Sequence, residues 1–268
     1  MGAPYPEVII NGGGGTDALV GPSIVNTWLL TGPNTGSLNT TFSFKNFEAL
    51  TGGTNTDLFK PNSSTVFLGN LSGGSGVDTL DYTTFITPVT VNLTTSIVSQ
   101  ISGTAVLFEN GIGGSGNDFL NGNTHSNRLE GGIGNDIILG LAGNDVLFGG
   151  NGMDFIIGGM GADTIDGGAG DDLLIGGGTI HDGNQPALGL LLKEWSRTDL
   201  GYQGRITNLR NGHGYNGTTK INGPAMIFDY TIDTMVGGID SDWFWVQLGG
   251  IIMLPDLLVD RVRSELVN

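Results

Sequence analysis

Between residues 113 and 175 an acid returns at a nine-residue period: Asp118, Asp136, Asp145, Asp154, Asp163 and Asp172, with Asn127 in the one remaining place. Evenly spaced carboxylates repel one another, and the glycines between them are the costliest residues to order. A chain that keeps both needs a compensating partner, and the chemistry that suits is coordination of a hard cation. Calcium accepts about six to eight oxygens from carboxylates and backbone carbonyls. Catalytic chemistry fits less well. His125, His181 and His213 lie far apart and form no His-Glu-x-x-His pattern. Ser75 and Ser115 sit in GGSGV and GGSGN, not in a G-x-S-x-G elbow. The acid pairs Asp171–Asp172 and Asp240–Asp242 suggest glycosidase carboxylates, but their place in the period makes them loop residues first. The chain reads as a non-enzyme.

The repeating unit is GG-x-G-x-D-x-U-x, where U is a large aliphatic residue. Seven contiguous copies start at Gly113, Gly122, Gly131, Gly140, Gly149, Gly158 and Gly167. Glycines at places one, two and four permit positive φ and let carbonyls converge. The candidate metal set therefore joins the acids and Asn127 to Gly114, Gly116, Gly132, Gly134, Gly143, Gly150, Gly152, Gly159, Gly161, Gly168 and Gly170. The last three residues of each unit suit a short strand whose middle residue points inward. That residue is Leu120, Leu129, Ile138, Leu147, Ile156, Ile165 or Leu174, a regularity that a flexible glycine-rich linker would not keep.

This stretch resembles the RTX (haemolysin-type) calcium-binding repeats. The resemblance implies a right-handed parallel β-roll, a form of β-solenoid, with two nonapeptides per turn and several Ca2+ ions between the loops of successive turns. Asp118, Asp136, Asp154 and Asp172 would line one edge, and Asp145 and Asp163 the other, with Asn127 below them. Asparagine keeps a carbonyl oxygen but loses the charge, so the Asn127–Asp145 site should be weaker. The resemblance also implies a secreted, extracellular protein at a bacterial cell surface, exported through an uncleaved C-terminal signal. Met1–Val20 shows neither a basic start nor an apolar run, in keeping with export by such a route.

Single copies of the unit start at Gly12, Gly52, Gly73 and Gly237, and "FDYTIDTMV" keeps only its aspartate. Asp17, Asp57, Asp78, Asp233 and Asp242 thus join the candidate ligands. Three regions follow: residues 1–112, an irregular β-solenoid with lengthened loops; residues 113–180, a regular roll; and residues 181–268, a helical insertion with a terminal repeat and cap. "PALGLLLKEWSRTDL" places Leu188, Leu191, Leu192 and Trp195 on one helical face, with Pro186 at its start and Gly201 at its end. "GRITNLRNG" reads as a second helix with Ile206 and Leu209 inward, and Leu254–Asn268 as a short terminal helix. The succession of repeats, tryptophan helix, "NLRNG" and "DTMVGGIDSDWFW" resembles the C-terminal part of large secreted RTX surface proteins, which implies capping.

Composition sets the outer limits. The formal charge of −16 excludes nucleic acid as a natural partner. Without cysteine the chain has neither disulfides nor thiolate metal sites. No apolar run reaches the length of a membrane span. With the eighth place inward, the seventh and ninth face out, and on one edge these are Phe119, Ile137, Leu139, Phe155, Ile157, Leu173 and Ile175. Such a face must be covered, either by the helix around Leu188–Trp195 or by a second copy. The expected role is a calcium-binding structural protein that self-assembles through this face into a homo-oligomer, fibre or surface layer. Two alternatives stand beside it. One is an adhesin or carbohydrate-binding module presenting Trp243 and Trp245, with Phe244 inward. The other is the non-catalytic tail of a larger secreted enzyme.

Overall fold

In a computed structural model, residues 8–229, 231–245, 257–259 and 266–267 are described. The chain divides into two compact units, Met1–Phe85 with Val89–Ile112, and Ile86–Pro88 with Gly113–Asn268. The regular repeats and the helical segment fall in the same unit.

In the second unit the chain passes back and forth between two parallel sheets. One sheet holds Phe119–Asn121, Ile137–Ala142, Phe155–Met160, Leu173–Ile175 and Trp243–Trp245. The other holds Arg128–Ile133, Val146–Asn151, Thr164–Ala169 and Thr234–Ile239. The register keeps every eighth-place residue in a column: Leu120 beside Ile138 beside Ile156, and Leu129 beside Leu147 beside Ile165. All of these are fully buried, as are Leu174, Met235 and Phe244, which extend the columns. Each such side chain contributes about 1.5–3 kcal/mol on leaving water.

The array is interrupted without losing register. Asp145 bonds Asp163 across 18 residues, whereas Asp163 bonds Asp233 across 70, so a 52-residue insertion loops out between whole repeats. Helix α1 (Gln185–Trp195) starts at Asn184, whose side chain accepts the Ala187 N–H, with Pro186 in the first turn. Helix α2 (Tyr202–Asn211) ends at Gly212, which adopts the left-handed conformation at φ 72°. Gly201 caps the start of α2 and does not end α1. The first helix stops earlier, at Trp195, whose carbonyl oxygen accepts from the Arg205 guanidinium at 2.8 Å.

These helices cover the apolar face of the array. Phe119, Ile137, Leu139, Phe155, Ile157, Leu173 and Ile175 pack in one cluster with Leu188, Leu191, Leu192, Trp195, Ile206 and Leu209. The face expected to recruit a second copy is thus occupied by the chain's own helices, because the leucine stripe of α1 matches it in extent and polarity. Trp243 lies in the same cluster without exposure and Trp245 packs against it, so the pair does not form an open aromatic groove. A polar clasp fastens the cover. The Arg205 guanidinium pairs with the Asp171 carboxylate and stacks over Trp195, whose indole N–H donates to the Asp171 carbonyl at 2.6 Å. Tyr202 Oη donates to the Asp242 carbonyl at 2.7 Å.

The terminal helix expected over Leu254–Asn268 is replaced, where described, by strands. Leu257–Val259 pairs with Thr234–Val236, and Leu266–Val267 with Trp243–Phe244, both in parallel. The open edges of those strands offer unpaired N–H and C=O groups, and strand pairing satisfies them. The remaining residues of that stretch lie outside the described ones. Among the described residues no helix is long and apolar enough to cross a membrane.

The first unit is also β, with a mixed sheet ordered Val8–Asn11, Phe42–Lys45, Thr35–Leu38, Asn26–Gly32, Asp57–Pro61, Thr79–Asp81 and Asn110–Ile112. A second sheet is parallel: Ala18–Val20, Ala49–Gly53, Asn70–Gly74 and Ala105–Val106. The lengthened loops expected here are in part antiparallel hairpins, Asn26–Gly32 with Thr35–Leu38 and on to Phe42–Lys45. Asn34 and Asn39 make the reversals at φ 53° and 54°, a conformation asparagine tolerates better than most residues. Trp28 stacks on Phe59 at 5.4 Å in the core.

Replacing Arg205 by alanine leaves a mostly buried carboxylate without its counter-ion. The expected loss is about 3 kcal/mol of stability, the lower end for a broken buried pair because Asp171 retains some solvent. A urea titration followed by tryptophan fluorescence reads it.

Candidate metal centre

The nine-residue acids form two stacks. In one, the Asp118 N–H donates to Asp136 Oδ1 at 2.7 Å, Asp136 to Asp154 at 2.7 Å, Asp154 to Asp172 at 2.8 Å and Asp172 to Asp242 at 2.8 Å. In the other, Asn127 donates to Asp145 at 2.7 Å, Asp145 to Asp163 at 2.8 Å and Asp163 to Asp233 at 2.9 Å. Each carboxylate is thereby pinned by the loop before it, and one oxygen is spent.

The glycines divide the remaining work between them. Gly134 has φ 132°, and a Cβ there would collide with the Gly116 carbonyl of the preceding turn. The same conformation holds at Gly132, Gly143, Gly150, Gly152, Gly159, Gly161, Gly168 and Gly170. Place-one glycines serve differently from the expectation: positive φ is not their reason, and space is. A methyl on Gly149 would overlap both Asp154 Oδ2 and the Gly167 carbonyl oxygen, so those two oxygens converge on one point. Gly114 and Gly116, expected to turn with positive φ, do not, and the Gly114 N–H instead donates to Asp118 Oδ2 at 2.6 Å. Leu141 occupies a place-two position at φ 79° and packs its side chain against the apolar cluster.

The second carboxylate oxygen carries the chemistry. Oδ2 of Asp136, Asp145, Asp154, Asp163 and Asp172 is buried and has no hydrogen-bond partner. Beside it lie carbonyl oxygens, which cannot donate. Burial therefore raises these acids: Asp145 to about 6, Asp154 to about 7, Asp136 and Asp163 to about 8 and Asp172 to about 10. At Asp136, Asp163 and Asp172 the neighbouring aspartates add to the effect of burial. Acceptors facing acceptors in a buried loop fit a hard cation, and an all-oxygen set of one carboxylate with backbone carbonyls suits calcium. Among the described residues no three His, Asp or Glu side chains gather around a point, because the backbone supplies most of the oxygens.

The other candidates separate. Asp233 and Asp242 extend the two stacks and are buried. Asp57 and Asp78 are fully buried, each with an unpartnered Oδ2. Asp17 is only half-buried, although its Oδ2 also lacks a partner. Asn127 keeps the place of an acid, its Oδ1 accepting the Asn123 N–H at 2.8 Å. Asp171 is bound to Arg205 and is no member of a stack. His125, His181 and His213 lie outside helices and strands.

Two residues escaped sequence reasoning. Glu48 Oε2 accepts the Asp17 N–H at 2.9 Å, and Glu109 Oε2 accepts the Asp78 N–H at 2.8 Å. Each stands in the stack where the next aspartate would be. In both cases the tripeptide is alike: Asn46-Phe47-Glu48 and Leu107-Phe108-Glu109, with positive φ at the first residue and a buried phenylalanine. The recurring Phe-Glu before a strand was the available signal.

The geometry defines a class of protein, one whose stacked glycine loops bring carboxylate and carbonyl oxygens together as hard cations require. The sequence family agrees: the model of the RTX calcium-binding nonapeptide repeat (four copies) matches residues 112–147 and again 148–179. Residues 112–179 are thus RTX calcium-binding repeats. No curated protein matches the chain.

The raised carboxyls set a pH dependence for the metal-free protein. An acid whose folded pKa exceeds its unfolded value binds protons more tightly when folded, so its stabilisation is present at low pH and lost as pH rises through the folded value. In chelator, strand content should grow as pH falls from roughly 10 to roughly 4.5. Far-UV circular dichroism checks this, and the trend should vanish in saturating calcium.

Proposed function

We propose that this chain is an extracellular, non-catalytic structural module whose repeats form a right-handed β-roll on binding several calcium ions. The observation that carries the reading is the set of five buried, unpartnered aspartate oxygens, Oδ2 of Asp136, Asp145, Asp154, Asp163 and Asp172, each brought beside a backbone carbonyl oxygen. When bound, a calcium ion supplies positive charge to that mixed set of oxygens. The chain's own part is to gather them: Asp Oδ1 is fixed by the preceding loop, place-one glycine leaves room for Oδ2, and places two and four turn the carbonyls.

Charge and entropy then work as a switch. Without the ion, a chain of net charge −16 holding unpartnered carboxylates is loosened. The RTX family is typically secreted, and a loose chain suits export into a calcium-rich exterior. Extracellular sites bind with a Kd of about 10⁻⁴–10⁻³ M. At about tenfold Kd each ion adds about 1.4 kcal/mol to the folded state, and the contributions of stacked sites accumulate.

Self-assembly remains compatible with this reading but would use a surface other than the covered apolar face. Of the aromatic candidates of the adhesin reading, Trp243 is buried in the core and Trp245 packs against it half-buried.

Calcium titration of the chelated protein should produce parallel-strand structure by circular dichroism, while magnesium, which demands a tighter octahedral shell, should not. Asp154→Asn should lower the number of bound ions and move the transition to higher calcium. Equal structure in chelator and in calcium would defeat the proposal.

A further inference from the structure

The first unit lies outside the matched repeats, and its acids keep no nine-residue period. It nevertheless carries the same ladder. The Asn26 N–H donates to Asp57 Oδ1 at 2.9 Å, and the Asp57 N–H donates to Asp78 Oδ1 at 2.7 Å, across spacings of 31 and 21 residues. The loops 21–26, 52–57 and 73–78 are therefore stacked levels of one column.

Two adjacent levels of this column differ by a single functional group, and the difference is informative. At the first, Asn26 Nδ2 shares its two N–H groups among the carbonyl oxygens of Pro22 at 2.9 Å, Ile24 at 2.9 Å and Gly52 at 3.0 Å. The amide is a positive-ended plug in a cage of three carbonyls drawn from two loops. One level on, Asp57 Oδ2 stands where that nitrogen stood. A methyl on Gly52 would overlap both Asp57 Oδ2 and the Gly73 carbonyl oxygen, just as a methyl on Gly21 would meet Asn26 Nδ2 and overlap the Gly52 carbonyl oxygen. The corresponding carbonyls are those of Gly53, Asn55 and Gly73. Gly53 pairs with Gly74 in the strand register, and a Cβ on Gly74 or Gly76 would strike the Gly53 or Asn55 carbonyl oxygen.

An anionic oxygen cannot accept from carbonyls. Asp57 is fully buried, and its Oδ2 has no partner. The level that has an amide is closed by the chain itself, whereas the level that has a carboxylate presents one more acceptor: the Ser75 N–H donates to the Gly53 carbonyl oxygen at 2.9 Å, and Asp57 Oδ2 is left without a donor. The geometry points to a divalent cation site, of calcium type, between loops Gly52–Asp57 and Gly73–Asp78, held by Asp57 Oδ2 and the carbonyls of Gly53, Asn55 and Gly73. Asn26 fills the level before it and excludes an ion there. The level after it abuts the short Leu107-Phe108-Glu109 bend, so 52–57 and 73–78 are the pair in this column where two full glycine loops, both ending in aspartate, face each other.

The site rests on the same chemistry as the array but not on the array's occupancy, and the full-length chain can separate the two. Asp57→Asn reproduces the plug already present at Asn26. Native mass spectrometry at saturating calcium should then count one ion fewer than in the wild type, with Asp154→Asn as the array control. Hydrogen exchange adds a measurement that needs no variant: wild-type peptides covering 52–61 and 73–81 should lose protection on chelation. In Asp57→Asn their protection should become independent of calcium. An unchanged ion count in Asp57→Asn, or wild-type protection indifferent to chelator, overturns the site. If Asp154→Asn still loses an ion in that case, the array reading survives without it.

Discussion

A carboxylate oxygen buried among carbonyl oxygens is the constraint from which the rest of this structure follows. Such a group can be satisfied by a proton or by a cation, and Asp136, Asp154 and Asp172 in one stack and Asp145 and Asp163 in the other present the same demand. Backbone hydrogen bonds along the column take one oxygen of each of these five aspartates and leave the other facing the cage. Repetition makes the demand collective, because each acid is positioned by the loop before it and adds to the field felt by the next.

The aliphatic columns and the acid columns are two products of one period. Nine residues carry the chain from one sheet to the other, so a single register aligns Leu120, Ile138 and Ile156 inside the coil and Asp118, Asp136 and Asp154 at its edge. The two faces outside the coil then diverge. One is apolar and is roofed by α1 and α2. The other presents Arg128, Glu130 and Phe148, where the guanidinium lies over the ring at 4.3 Å and pairs with the glutamate. A thin repeat structure thus gains a conventional core on one side only.

Much of this was legible in the sequence, for reasons that are local. The aspartate and the aliphatic residue recur at a fixed interval, and the leucine stripe of α1 declares which face is covered. What escaped notice breaks a local rule. Arg205 is a cation that reads as a solvent-facing residue, yet it is buried because Asp171 and Trp195 await it. The hairpins of the first unit read as strands in either direction, since alternation says nothing of strand sense. Glu48 and Glu109 stand in for aspartates outside the period, with a longer side chain spanning a shorter bend. Leu257–Val259 and Leu266–Val267 keep the nine-residue offset but have lost the glycines that announce it.

The 52-residue detour leaves the ladder at a seam between complete units and returns on the same footing, so Asp172 and Asp242 meet as if nothing intervened. The scaffold behaves there like a bound book into which a folded sheet can be slipped without renumbering the pages. Cargo of quite different size could enter at that joint, between Ile175 and Phe228, provided that it brings its own roof for the leucines and isoleucines it would otherwise lay bare.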